Sequence, residues 1–399
     1  MTKHFIFFIF FIFTAIISAA DITQKKINAD VFDAVISEIS KNHYDGNFRQ
    51  KYAHKINEFR QKSVKSVNND ELARCINHFF RQLKDSHFGI NAPSTYSKNT
   101  VLLENPVRLI ESDSKVLVSE ILPGSVFCRG DEILSVNGRV PDPNSRIGKA
   151  LQIFYMLNIG EDSKKMQVEI IRNNQKITVE FKSRRLQKKL SFFKLGEMPA
   201  LIEDYKSHLL DKSTGYIRFN IFTPNAVQNL KKDVRTIFRN TPKLIIDLRN
   251  NDGGLIMMGV SMASFLHDER VNFGTSVISG QPLNPKSFPQ KERYKGRIYI
   301  LIGRNSYSTA EIFAQSMKEA NAAEIIGEKS SGMCLPSAFI ALPHGFKLQT
   351  VMGDYFSAGN YRIEGNGVIP DKIIKISPAQ LKNNSDPLIE YVLKAKGVL

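Results

Sequence analysis

The chain has 399 residues, of which 42% are hydrophobic and 24% charged; these proportions exclude wholesale disorder, and the length predicts two or three domains. Its 55 Lys and Arg against 39 Asp and Glu give a formal net charge of +16, yet the basic residues stand in scattered pairs such as Lys25-Lys26, Lys164-Lys165 and Lys231-Lys232. Nucleic acid is therefore not an expected partner, because no basic stripe interleaved with aromatics is present, and a solvated basic surface is expected instead.

Lys3 and His4 precede an apolar run from Phe5 to Ile17, and Ser18-Ala19-Ala20 supplies small residues before Asp21. This is the pattern of a secretory signal over residues 1–20, cleaved after Ala20. The run is shorter than the roughly 20 apolar residues of a spanning helix. The mature chain is thus expected to be soluble and exported, in a periplasm or the medium. Cys75, Cys128 and Cys334 lie far apart without CxxC spacing, which argues against a disulfide framework or a zinc site. Each is expected as a small buried hydrophobe.

Residues 21–100 read as a helical N-terminal domain. Val31, Phe32, Val35, Ile36 and Ile39 form one apolar face, and Leu72, Ile76, Phe79, Phe80 and Leu83 form another, with Asn69 as the expected N-cap of the second helix. Ala92 to Thr100 is a polar linker. Residues 101–185 change to short strands: Val116–Ile121, Glu132–Val136, Met166–Ile171 and Lys176–Phe181, the last two around an Asn173-Asn174 turn. An apolar helix is expected over Gly148–Leu157.

From residue 190 to 399, strands alternate with helices. Gly215–Phe222, Lys243–Leu248 and Arg297–Ile302 are strand-like, and helices are expected over Asn225–Arg239, Leu255–Leu266 and Thr309–Asn321. This alternation predicts an α/β core, and the nearly continuous apolar runs suit a buried sheet.

Two strand-to-helix turns carry polar motifs. In Asp247-Leu248-Arg249-Asn250-Asn251-Asp252-Gly253-Gly254, consecutive glycines let backbone N–H groups be presented without a side chain in the way. In Gly303-Arg304-Asn305-Ser306-Tyr307-Ser308-Thr309-Ala310-Glu311, a hydroxyl stands at a helix start, where positive potential favours a developing negative charge. Either motif alone is equally well an ordinary turn or an N-cap.

Together with Leu122-Pro123-Gly124-Ser125 and Gly130-Asp131-Glu132-Ile133-Leu134-Ser135-Val136-Asn137-Gly138, which look like the core of a PDZ domain, the pair resembles the tail-specific, C-terminal-processing and tricorn-core serine peptidases. The resemblance implies a ClpP/crotonase-like core with a helical N-terminal domain and a PDZ-like domain. It implies Ser308 as nucleophile, with an oxyanion hole from the N–H of Thr309 and that of Gly253 or Gly254. The processing branch uses a lysine base in a Gly-Glu-x-x-x-Gly-Lys-Gly stretch, but here Gly327-Glu328-Lys329-Ser330-Ser331-Gly332-Met333-Cys334 puts Met333 in that place. The tricorn-like branch uses a Ser-His pair and a late glutamate, and Ser86-His87 and Glu364 resemble them. His87 is then the expected base, with Glu364 and Ser86 orienting it.

The expected activity is peptide hydrolysis through an acyl-enzyme on protein or peptide substrates, with no metal and no organic cofactor, since no His-Glu-x-x-His and no nucleotide-binding glycine loop occurs. A non-catalytic peptide-binding protein on the same scaffold is the alternative. Homo-oligomerisation stays open.

Overall fold

The computed structural model describes residues 3–93, 100–104, 106–143, 145, 147–187, 191–278 and 280–395, with side chains from Ile22 onward except at Thr100. The leader expected over residues 1–20 lies outside the residues whose side chains are described, and residues 94–99 of the expected linker lie outside the described residues. Among the described residues, no helix is long and apolar enough to cross a membrane.

Helices α1 (Lys3–Asn42), α2 (Phe48–Lys51), α3 (Ala53–Val64) and α4 (Asn69–Arg81) bury the two expected apolar faces in one cluster. The N-cap of α4 is Asn68, not Asn69. Asn68 has the extended backbone of a cap, and its side chain accepts the Glu71 N–H at 2.9 Å. The helical unit does not close on itself. Strand Gly89–Asn91 pairs antiparallel with Lys347–Val351, so Ile90 shares the helical cluster with Leu342, Phe346 and Leu348.

Strands Val107–Ser112, Lys115–Ile121, Glu132–Val136, Lys165–Arg172 and Gln175–Lys182 form an antiparallel sheet in that order. Asn173 and Asn174 both adopt positive φ (53° and 63°), the backbone of a tight two-residue hairpin turn that asparagine tolerates. Helix α5 (Lys149–Asn158) covers this sheet with Ile153 and Leu157, against Val118 and Val168.

The main sheet, among the described residues, has the order Tyr205–Leu209, Thr214–Phe219, Lys243–Asp247, Arg297–Ile302, Glu324–Gly327 and Lys372–Ile373, parallel except for the first pair. Side-chain alternation decides its two faces. Leu244, Ile246, Ile298, Ile300 and Ile302 point to a cluster shared with α6 (Pro224–Arg235), α7 (Ile256–Ser264) and α8 (Thr309–Glu319). Ile245, Tyr299 and Leu301 point the other way, onto Leu381 of α9 (Pro378–Lys382), Leu388 and Val392 of α10 (Pro387–Lys394), and Ile110 and Leu117 of the antiparallel unit. Both faces are covered, so the strands read as unbroken apolar runs, and a one-residue slip would exchange the two sets.

The expectation of three buried cysteines holds only for Cys334. Cys75 is half-buried and Cys128 is exposed, because Cys128 lies in the loop after Phe127, which takes the core position itself.

Candidate active site

In an open α/β sheet, ligands bind beyond the carboxyl ends of the strands. The two motifs lie there, on neighbouring strands. Lys243–Asp247 runs into the Asn250–Gly254 turn, and Arg297–Ile302 runs into the Asn305–Ser308 turn; the turns are held side by side by a short parallel pairing of Asn250 with Asn305 and Asn251 with Ser306. Arg249 anchors the first turn. Its guanidinium meets Asp247 at 2.6 Å and Asp386 at 2.8 Å, while the Tyr216 hydroxyl donates to Asp247 at 2.7 Å. Burial would push the Asp247 carboxyl up, but Arg249 leaves it below its ordinary value.

Ser308 is half-buried at the N-cap of α8, with φ 52° and ψ −120°. A side chain rarely adopts this backbone, and such strain persists only where the surroundings impose it. Here the Ser308 N–H donates to Met333 O at 2.8 Å and lies 3.2 Å from Glu311 Oε2. Gly253, at φ 90°, packs directly on this residue: a Cβ there would come within 2.5 Å of Ser308 Cβ and 3.0 Å of Thr309 N. The Gly253 N–H donates to Asn251 Oδ1 at 2.9 Å. The N–H groups of Gly254 and Thr309 have no acceptor among the described residues, Thr309 being the first residue of α8, where the helix leaves its N–H groups unbonded.

The remaining expected residues converge on the same place through one path. Met333 O holds the Ser308 N–H; the next residue, Cys334, donates its N–H to Glu364 Oε2 at 3.0 Å. Glu364 also accepts from Ser86 N at 2.7 Å and from Ser86 Oγ at 2.9 Å, and Ser86 Oγ lies 2.7 Å from His87 Nδ1. Because the Ser86 hydroxyl hydrogen goes to Glu364, its oxygen accepts from Nδ1–H, and Nε2 then carries the imidazole lone pair. Burial raises the Glu364 carboxyl, and the Cys334 and Ser86 donors oppose the rise. Met333 thus occupies the dyad position with a backbone role, while Lys329 is exposed.

The loop bearing Ser86 and His87 is itself clamped. Asp85, buried, meets His43 Nε2 at 3.1 Å and accepts from Tyr44 Oη at 2.6 Å. The Asp45 N–H donates to His43 Nδ1 at 3.0 Å, so the proton of His43 sits on Nε2, facing Asp85.

Sequence reasoning quoted Glu311 but assigned it no role. It is fully buried and accepts from Ser330 Oγ at 2.6 Å, Ser331 Oγ at 3.0 Å, Gly332 N at 2.6 Å and Met333 N at 2.8 Å. It therefore ties the 330–333 loop to the helix that starts at Ser308. Burial raises its carboxyl, against these donors. The Ser308-x-x-Glu311 spacing of a capping box was the available signal.

Residues 213–374 match the peptidase family S41. The chain is 27% identical over 177 residues to a carboxyl-terminal-processing protease of Picosynechococcus, covering 42% of this chain and 40% of that relative. It is 24% identical over 338 residues to a probable CtpA-like serine protease of Staphylococcus aureus, covering 80% of this chain and 63% of the relative. The chain therefore spans 40% to 63% of the length of these curated relatives. Among solved structures, the photosystem II D1 C-terminal processing protease superposes with a TM-score of 0.57 at 17% identity, covering 88% of this chain and 93% of the other, a likeness of fold. The segment that matches peptidase family S41, residues 213–374, is the one that supplies both the Asn250–Gly254 and the Asn305–Ser308 turns.

Proposed function

We propose that this chain is an exported serine endopeptidase that hydrolyses peptide bonds through an acyl-enzyme. The supporting observation is the hydrogen-bonded path from Ser308 through Met333, Cys334, Glu364 and Ser86 to His87, which joins residues 221 positions apart at the mouth of the sheet. In this reading Ser308 attacks the scissile carbonyl, and His87 takes its proton at Nε2 and returns it to the leaving amine. Glu364 acts through Ser86, holding the imidazole in the tautomer that leaves Nε2 basic and stabilising the imidazolium that forms. Thr309 N–H is one oxyanion donor. Gly254 is favoured over Gly253 as the second, since Gly253 N–H already serves Asn251.

The core is read as ClpP/crotonase-like, residues 21–100 as the helical domain that supplies the base, and residues 101–185 as a PDZ-like domain. Protein or peptide chains are the substrates, and residues 1–20 direct export. A fluorophosphonate probe tests the reading, with mass-spectrometric mapping of the adduct. Labelling of Ser308 in wild type and none in Ser308→Ala supports it; equal labelling of both overturns it.

A further inference from the structure

The antiparallel 107–182 unit touches both catalytic-type turns through a chain of hydrogen bonds that runs in one direction. The Gly148 N–H, at the start of α5, donates to Tyr307 Oη at 2.7 Å, and the Tyr307 hydroxyl donates to Asn305 Oδ1 at 3.2 Å. Asn305 Nδ2 donates to Asn250 Oδ1 at 3.2 Å, and Asn250 Nδ2 donates to the carbonyl of Leu109 at 2.8 Å. The path begins and ends on the 107–182 unit and crosses the Asn250–Asn305 pairing between. Asn305 and Tyr307 are 3% and 7% exposed, so water does not compete for these groups, and each donor polarises the next.

The fit at Gly148 is tight. A Cβ there would overlap Asn305 Oδ1 and approach Tyr307 Oη to 3.1 Å, while Glu111 Oε2 accepts the Ala150 N–H at 3.2 Å and holds the same helix start. The Leu109 carbonyl that Asn250 uses lies on Val107–Ser112, the edge strand of its sheet. Burial pushes the Tyr307 phenol up, which favours its neutral, donating form.

We propose that Asn250, Asn305 and Tyr307 are positioning residues, through which the docked 107–182 unit sets the spacing between Ser308 and the glycine N–H groups facing it. Tyr307 immediately precedes Ser308, and Asn250 stands four residues before Gly254. A shift of the unit moves both turns together or not at all. The inference rests on the reading of Ser308 as nucleophile.

The test uses the full chain with Tyr307→Phe, Asn250→Asp, their double variant, Gly148→Ala and Ser308→Ala. The readouts are the rate of fluorophosphonate labelling, kcat and KM on a peptide substrate, and Tm. Tyr307→Phe loses the relay bonds to Gly148 and Asn305, and Asn250→Asp the one to Leu109; each should lower the labelling rate and kcat about tenfold, with KM unchanged. The double variant should fall no further than the worse single one, because either change cuts the same path. Gly148→Ala, on the docked unit, should slow labelling as well; should it fail to fold, the other variants decide. Wild-type labelling rates in folded Tyr307→Phe and Asn250→Asp, with Ser308→Ala unlabelled, overturn the relay and leave the peptidase reading intact. Labelling of Ser308→Ala overturns the reading itself.

Discussion

Gly253→Ala isolates the contact between the two turns. The added Cβ would lie 2.5 Å from Ser308 Cβ, 3.0 Å from Thr309 N and 3.0 Å from Tyr307 O, where ordinary contact begins at 3.4 Å. Something must move by about 0.9 Å, and two of the three neighbours are backbone atoms of the turn that carries Ser308. A left-handed φ costs an ordinary residue about 1–2 kcal/mol, and overpacking a tight site about 1–3 kcal/mol. The total, roughly 2–5 kcal/mol, is smaller than the stability of most domains, so the variant should fold. A misplacement of about 1 Å between reacting groups costs on the order of 10²-fold in rate, and that is the expected loss in labelling rate and kcat/KM. Gly138→Ala is the control: its φ is 74°, but nothing lies within 4 Å of the added Cβ, so it carries strain without a clash. It should lower Tm slightly and leave the rate unchanged. Wild-type labelling in a folded Gly253→Ala, with Tm lowered as in Gly138→Ala, would refute the packing of Gly253 on Ser308.

Ser308→Ala should abolish peptide hydrolysis while changing stability by no more than a helix cap, about 1 kcal/mol, checked by thermal melting. His87→Ala should be nearly inactive, Lys329→Ala nearly normal and Glu364→Gln intermediate, in steady-state peptide assays; an active His87→Ala with an inactive Lys329→Ala would restore a lysine base. The raised carboxyl of Glu311 means that the folded chain binds more protons than the unfolded one between the ordinary glutamate value and the folded one. Stability from this group therefore falls as pH rises through that window, and denaturation of Glu311→Gln followed against pH should lose that slope. Lys243→Met removes a buried ammonium that donates to the carbonyls of Val392, Leu393 and Ala395 at 3.0, 3.0 and 3.1 Å. It should destabilise the chain by at least about 2 kcal/mol, seen as a lower Tm with wild-type activity in the molecules that remain folded.

The elements with strong local signals were legible in the residues alone. Arg297–Ile302 and Glu132–Val136 occur as expected, and the Gly148–Leu157 and Thr309–Asn321 helices are displaced by at most two residues. Continuous apolar runs and regular helical spacing specify such elements whatever they pack against. Asn68 displaced Asn69 as a cap because two adjacent asparagines are equivalent in composition, and only the backbone angle at Asn68 lets its side chain reach Glu71 N. The strands Thr275–Ile278, Ser337–Ala341, Lys347–Val351 and Gly353–Phe356 were not expected. Two of their pairings join segments far apart in sequence, Thr275–Ile278 with Gly353–Phe356 and Lys347–Val351 with Gly89–Asn91, and strand formation there depends on those partners more than on local preference.

The same division holds at the site. The two turn motifs, and the family they resemble when taken together, pointed to Ser308, the glycine turn, Ser86-His87 and Glu364 as candidates. Which of them meet was decided by tertiary structure. Glu364 reaches Ser86 across 278 residues of sequence, and Met333 serves through its carbonyl and N–H, which every residue type carries. The links from Gly148 to Tyr307 and from Asn250 to Leu109 likewise join a backbone group to a side chain more than a hundred residues away. A backbone N–H or C=O leaves no mark in the order of amino acids, and it acquires a role only when folding brings a partner within hydrogen-bond distance.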